Sequence, residues 1–335
     1  MSAPERKQGP VDEFDWIARH LRPLAAGAPE ALGLVDDAAA IPSRPGFDLV
    51  ISKDAIVAGV HFLPDDPLDL VARKLLRVNL SDLAAKGAEP YGYFLAVAWP
   101  AGGTWPEREA FTRGLKADQE TFGLKLFGGD TVSTPGPLTA SATILGWVPA
   151  GGMVRRSTAK PGDVVLVTGS IGDGGLGLAV ARGEGLDLSV SEAAWLNDRY
   201  HLPAPRLAVG AALRRWAHAA ADVSDGLIAD AGHIAEASGV RITLDLDSMP
   251  LSAPATAWLG ARADLLAARQ RLATCGDDYE VLCTAPPEAV ETLVAAVAAS
   301  GLSMTRIGEV AAGAGVEARF AGRPIQVGHA GWRHG

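Results

Sequence analysis

Aspartates at the ends of short apolar runs are the most chemically suggestive feature of this sequence. Asp36 and Asp37 follow Gly33 in a turn-forming stretch, and Asp54 follows a β-branched run at 49–51 that predicts a buried strand. Asp82 lies three residues after Asn79, so the two share a face if the stretch is helical. Asp130 directly follows Gly128-Gly129, while Asp222 and Asp225 bracket a strand-to-helix turn that also carries Ser224 and Gly226. Carboxylates gathered in a cleft repel one another and lose hydration, so they require a cation. Oxygen-only ligands, with no Cys or paired His nearby, favour a hard ion such as Mg²⁺, which keeps several waters and bridges to phosphates. Two glycines let backbone N–H groups approach an anion closely, and a carboxylate after them can meet a metal that the anion carries. No Walker A loop, H-E-x-x-H or G-x-S-x-G occurs. Phosphoryl transfer stays open nonetheless, because it needs positioning and charge neutralisation more than a covalent partner.

Each feature has a plainer reading. Asp36-Asp37 alone reads as two solvated turns, and Asn79 with Asp82 reads as a solvated stripe more readily than as a cleft lining. A double glycine is a common turn, and Asp222 and Asp225 both suit helix caps. Arg155-Arg156-Ser157 and Lys160-Pro161-Gly162-Asp163 place three cations in a connection that is either solvated or turned towards phosphates, for which the Arg fork is suited. Gly172, Gly174 and Gly177 match the G-x-G-x-x-G dinucleotide fingerprint. However, Glu184-Gly185 closes that helix early, and 191–200 reads as helix where a second parallel strand should develop. Three glycines serving a tight helix start is the better reading, and a nicotinamide dehydrogenase is set aside.

Elements able to position these groups follow from periodicity. Asp12 is placed to cap a first helix with Phe14, Ile17, Ala18 and Leu21 on its apolar face. Pro67 starts a long helix through Leu68, Val71, Leu75 and Leu76 that Gly87 ends. Strands are expected at 91–99, 124–127 and 138–148, with Gly128-Gly129-Asp130-Thr131 turning after the second, and Pro106 starts another helix. Alternation with antiparallel-looking connections predicts a mixed-sheet α/β layer. A composition shift at 149–152 puts the domain boundary there, giving domains 1–149 and 150–335. The second half predicts strands at 164–168, 219–223, 240–246, 281–284, 303–310 and 316–320. Helices are expected at 191–200, from 207, through His233 to Ala237, at 262–272 and at 286–299. Trp332 lies in a polar tail.

Composition narrows the class. A chain of 335 residues, 48% hydrophobic and 21% charged, has room for two cores and is not disordered. A net charge of −9 without a Lys/Arg cluster disfavours nucleic acid. Two cysteines, Cys275 and Cys283, are too few for a disulfide framework and read as packing residues. With no apolar leader and no bilayer-length apolar run, the expectation is a cytoplasmic protein that binds no membrane.

Six blocks together carry a resemblance: Gly59-Val60-His61-Phe62-Leu63-Pro64, the run 78–88 around Asn79 and Asp82, Gly128-Gly129-Asp130-Thr131, Arg156-Ser157 with Lys160-Pro161-Gly162-Asp163, the run 222–227, and Gly276-Asp277-Asp278-Tyr279-Glu280. In that order, over essentially the full length, the chain resembles the thiamine-monophosphate kinases, of the superfamily of aminoimidazole ribonucleotide synthetase and selenophosphate synthetase. The resemblance implies a two-domain α/β (α+β) fold. Its N-terminal, ATP- and Mg-binding domain has a mixed sheet that pairs across a homodimer, and its C-terminal α/β domain completes the nucleotide and substrate site. It implies ATP-dependent phosphorylation of thiamine phosphate to thiamine diphosphate, another ATP-dependent synthetase of the superfamily being the rival. By position, Asp37, Ser52, Asp54, Asp82, Asp130, Asp222 and Asp225 would ligate or orient Mg²⁺, with Asp54, Asp82 and Asp130 central to catalysis. Gly129, Asp130, Arg156 and Ser224 would meet the nucleotide, and His61, Asp277 and Trp332 the thiamine end. Three departures stand out. Val35 breaks the usual Gly-Ile-Gly-Asp-Asp. Lys53 replaces Thr within the metal set, where its cation would replace an ion or contact a phosphate. Cys275 replaces a Gly beside the loop that carries Asp277.

Overall fold

The computed structural model describes residues 13–332. By its contacts the chain divides into one unit running to Asn79 and resuming over Pro90–Trp147, and a second made of Leu80–Glu89 and the chain from Val148 onward. The Asp12 cap lies outside the described residues, as do Arg333 and His334.

Four strands build the first unit's sheet: β1 (Phe47–Val57), β2 (Glu89–Pro100), β3 (Leu126–Thr134) and β4 (Thr139–Pro149), ordered β1-β4-β2-β3. Parallel β2 and β3 are joined through α3 (Trp105–Phe122), as a parallel pair requires. Thr104 and Glu107 form a capping box at the start of α3, and left-handed Gly123 ends it. Gly114 of α3 lies so close to the Asp69 carbonyl of α2 (Leu68–Ala85) that a Cβ there would collide with it, which fixes the two helices in backbone contact. The first helix differs from expectation. α1 (Glu13–Trp16) passes into a π-helical turn at Ile17–Leu21, and Trp16 rather than Phe14 is the buried side chain; Phe14 is 75% exposed. Trp16 meets the Trp99 ring edge-on at 5.7 Å, with the Arg108 guanidinium near both rings. The π turn shifts the helical phase by a residue, so a 3.6-residue reading that includes buried Leu21 misplaces Phe14.

β3 also differs, for it runs through the double glycine instead of turning there. Tyr93 pairs with Leu126 and Phe94 with Gly128, so Phe127 is the extra residue of a β-bulge. Gly129 then comes so near the Leu95 carbonyl of β2 that no Cβ would fit. The glycines serve close strand approach.

The second unit's sheet is ordered β11-β10-β7-β9-β5-β8-β6. Its strands are β5 (Val164–Thr168), β6 (Ala219–Asp222), β7 (Arg241–Asp245), β8 (Val281–Ala285), β9 (Met304–Ala311), β10 (Gly315–Phe320) and β11 (Arg323–Pro324). β10 and β7 are parallel, and β5 pairs antiparallel with both β8 and β9. Every residue of β5, β6 and β8 is buried, so these runs do not alternate, and they are apolar except at Thr168, Asp222 and Thr284. Val165, Val167, Ala221 and Leu282 enter one core, shared with α4 (Asp173–Ala181), α7 (Leu227–Ser238) and α9 (Leu265–Thr274). Val164, Leu166, Ala220, Val281 and Cys283 enter another, shared with α6 (Gly210–Trp216) and α10 (Val290–Ala299). α5 (Val190–His201) matches its expected span. α8 (Ala253–Gly260) was not expected; Ser252 caps it, and its pattern of small residues carries no clear period.

Candidate active site

In the first unit, β1 alternates Ser52 and Asp54 on the face of buried Val50 and Ile56, while Lys53 points the other way. The Lys53 ammonium donates to Ser141 Oγ at 2.8 Å and lies 3.4 Å from Thr143 Oγ1. An ammonium carries only donors, so Lys53 enters the expected metal set as a positive charge and not as an oxygen donor. Asn79 is wholly buried and accepts the Asp54 N–H at 3.1 Å, donating in turn to the Leu75 carbonyl. It therefore belongs to no solvated stripe; it ties α2 to the strand that presents Asp54. At the end of β1, the Val57 N–H donates to His61 Nδ1 at 3.1 Å. With Nδ1 accepting, the imidazole proton sits on Nε2.

Asp36, Asp37, Gly128, Gly129, Asp130 and Thr131 line one cavity of about 370 Å³, whose apolar side is formed by Ile17, Leu21, Leu34, Phe94 and Phe127. Asp37 donates its N–H to Asp36 at 2.8 Å, and Asp130 accepts from the Thr131 N–H at 2.9 Å, so both turns hold their carboxylates in place. Leu32, Gly33 and Leu34 all have left-handed φ. Val35, at φ −120°, needs no glycine. Asp37, Gly129 and Asp130 are thus brought together, whereas Asp54 and Asp130 stand on the two outer strands with β4 and β2 between them.

The second unit gathers a denser group. Asp222 ends β6 and is 3% exposed; burial and then the like charges of Asp82 and Asp230 push its carboxyl well above the usual range. Asp230, in the first turn of α7, accepts the N–H groups of Ser224, Asp225 and Gly226 at 3.0, 3.1 and 3.2 Å. Burial and the charge of Asp225 push it up to about 7. Asp225, Asp230 and His233 have ligand atoms within 4.8 Å of one another. Lys86 donates to the Ala220 carbonyl at 2.7 Å, and burial, with Arg156 beside it, lowers its ammonium to about 8. Arg156 Nε is buried with no hydrogen-bond partner among the described residues. The carboxylates of Asp222, Asp225 and Asp230 offer the charge-dense oxygen donors that suit Mg²⁺, His233 adding a ring nitrogen beside Asp225 and Asp230, and an orphaned guanidinium N–H suits a phosphate oxygen.

The Ser224-Asp225 loop also meets both C-terminal candidates. Asp277 donates its N–H to the Ser224 carbonyl at 2.9 Å, and Trp332, 55% exposed, donates its own to the Asp225 carbonyl at 2.9 Å. Cys275 takes φ −77°, ψ 142°, open to any residue, so its replacement of Gly does not by itself displace this loop; Gly276 is the residue whose Cβ would strike Ser224. Sequence reasoning missed Asp230, Lys86 and the side chains that hold 278–280. Asp230 had a signal, a carboxylate in the first helical turn after Ser-Asp-Gly, where it meets free N–H groups. Lys86 had none, since a lone Lys near a helix end reads as surface.

The G-x-G-x-x-G glycines serve packing. Cβ atoms at Gly172 and Gly177 would strike Leu272 and the Leu196 carbonyl, and the N–H groups of Gly172 and Gly174 are occupied by the carboxylate of Asp278. Burial and the charge of Asp173 push that carboxyl upward as well.

Residues 35–148 match the AIR synthase related protein N-terminal domain, and residues 160–320 the corresponding C-terminal domain. The chain is 54% identical over 326 residues to the thiamine-monophosphate kinase of Caulobacter vibrioides, covering 97% of this chain and 92% of the relative. It is similar to the crystal structure of thiamine-monophosphate kinase from Stenotrophomonas maltophilia K279a, at a TM-score of 0.81 and 36% identity over 92% of this chain and 97% of that one. It is also similar to AaThiL complexed with AMPPCP and TMP, at a TM-score of 0.75 and 27% identity over 87% and 89% of the two chains.

Proposed function

This chain belongs to the thiamine-monophosphate kinase family, and from that premise we propose how its own residues perform the ATP-dependent phosphorylation of thiamine phosphate to thiamine diphosphate. The attacking group is a phosphate oxygen whose second ionisation lies near pH ~6, so it is already largely anionic at neutral pH. No general base is required. The obstacle is the approach of two polyanions, which calls for positive charge and alignment for in-line transfer.

In the second unit Asp82, Asp222 and Asp225 would hold Mg²⁺, and in the first unit Asp37, Ser52, Asp54 and Asp130 are the corresponding oxygen donors. When bound, the ions neutralise phosphate charge and orient the transferring group. The Arg156 fork and the Ser224 hydroxyl would meet the nucleotide phosphates, and Gly129 would admit the nucleotide by its missing side chain. His61 would offer its Nε2–H to the substrate. Asp277 would face the cationic thiazolium or the aminopyrimidine, and the Trp332 indole would stack on a ring.

The observation that carries this reading is the Ser224-Asp225 loop, whose two carbonyls accept from Asp277 and Trp332. It links a nucleotide-side segment to both residues assigned to thiamine. Outer strand β1, with Ile51 58% exposed, supports a homodimer built on the first unit's sheet. Among the described residues no helix is long and apolar enough to cross a membrane. The test is incubation with ATP, Mg²⁺ and thiamine phosphate. Thiamine diphosphate and ADP should form in equal amounts; ATP consumption without thiamine diphosphate would overturn the reading.

A further inference from the structure

After β5 the chain turns through Gly169-Ser170-Ile171-Gly172 into α4, and the N–H groups of Gly172 and Gly174 point at the carboxylate of Asp278, 2.8 and 3.0 Å away. This is the seat that the G-x-G-x-x-G spacing offers to a phosphate, and a fully buried carboxylate of the chain itself fills it. Flanking Asp278, Asp277 and Tyr279 have φ of +69° and +52°. Residues with side chains rarely adopt that left-handed backbone, and they keep it only where their surroundings impose it.

The surroundings do impose it. The N–H groups of Asp277 and Tyr279 donate to the carbonyls of Ser224 and Val223 at 2.9 and 2.8 Å. Arg199 donates to the Asp278 carbonyl at 3.1 Å. Next in the chain, buried Glu280 accepts from Arg206 Nε at 2.6 Å and from Thr168 Oγ1 at 2.7 Å. A Cβ at Gly174 would strike the Asp277 carbonyl, so the first turn of α4 abuts the Asp277 backbone directly. The Tyr279 hydroxyl donates to Asp277 Oδ1 at 3.1 Å.

We propose that Asp278 and Tyr279 are positioning residues for the thiamine phosphate site: the Asp278 carboxylate, seated on the start of α4, fixes the backbone at Asp277, and the Tyr279 hydroxyl fixes its carboxylate. Neither touches the substrate; both act through Asp277. The inference rests on the assignment of Asp277 to the thiamine end.

Steady-state kinetics of the full-length chain test it, with thiamine phosphate and ATP varied separately. Asp278→Asn turns an amide NH₂ against a backbone N–H and should raise KM for thiamine phosphate about ten- to hundredfold. Tyr279→Phe, nearly isosteric, should raise it about three- to tenfold. KM for ATP should change by less than about twofold in both, since the lost contact is on the thiamine side. In an Asp277→Ala background neither substitution should raise KM for thiamine phosphate further, which a merely structural role would not produce. If Asp278→Asn does not fold, Tyr279→Phe and its cycle with Asp277→Ala decide the matter. An active wild type with unchanged KM in Tyr279→Phe, a parallel rise in both KM values, or full additivity on Asp277→Ala overturns the inference alone. A wild type that makes no thiamine diphosphate overturns the functional reading and this inference with it.

Discussion

Asp222 and Asp278 are both buried aspartates of the second unit, Asp222 at the end of β6 and Asp278 in the segment leading into β8, and each is pushed upward by burial, yet their neighbours differ. Asp278 receives two N–H groups at the start of α4. Asp222 stands among like charges, Asp82 and Asp230, near Lys86 and an Arg156 whose Nε has no partner among the described residues. A buried carboxylate satisfied by the backbone holds structure in place. One crowded by other carboxylates is costly to keep buried without a compensating cation, which is the ground for the proposed metal role of Asp222.

Substitution should separate the two. Asp222→Asn relieves repulsion while removing a cation ligand, so turnover should fall about 10²- to 10³-fold while the melting temperature stays equal or rises, read by product formation and thermal unfolding. Wild-type turnover in this variant would break the comparison. Asp278→Ala should do the reverse on stability, costing about 2–4 kcal/mol in urea unfolding, because it leaves two buried N–H groups unpaired. Gly172→Ala should cost less, about 1–3 kcal/mol, through its clash with Leu272 and its left-handed φ of +94°. Lys86→Met should have the smallest effect. The folded ammonium titrates near 8 against 10.5 unfolded, so from about pH 8 to 10.5 the unfolded chain binds more protons and stability rises with pH. That rising limb should be absent from Lys86→Met in unfolding curves measured across the window, and its persistence would assign the slope to other groups.

Much of the scaffold was legible because periodicity and burial agree. The run 164–167 is apolar at every position and, with Thr168, is β5, buried on both faces; 191–200 reads as helix and lies within α5, which Ser189 caps. The G-x-G-x-x-G stretch was legible as packing because the elements after it do not continue a dinucleotide fold. Other features depended on partners far along the chain. Nothing near Asn79 says that its amide meets the Asp54 backbone, and nothing in Asp277-Asp278 says which carboxylate is buried and which is offered. Gly128-Gly129 reads locally as a turn and becomes strand only because β2 lies against it. The carboxylates were singled out one at a time by an expected placement at element ends, which holds for Asp222 at the end of β6, whereas Asp54, Asp82 and Asp130 lie inside β1, α2 and β3; Asp230, whose role is to hold the Ser224-Asp225 loop, became visible only with the loop's N–H groups around it.

The central claim is that Asp222 and its neighbours form a divalent-cation seat for phosphoryl transfer. Its most direct test is a Mg²⁺ titration followed by thermal unfolding, with a non-hydrolysable ATP analogue present, comparing the wild type with Asp222→Asn. The wild type should show a saturable rise in melting temperature that the variant lacks; an equal rise in both, or none in either, would contradict it.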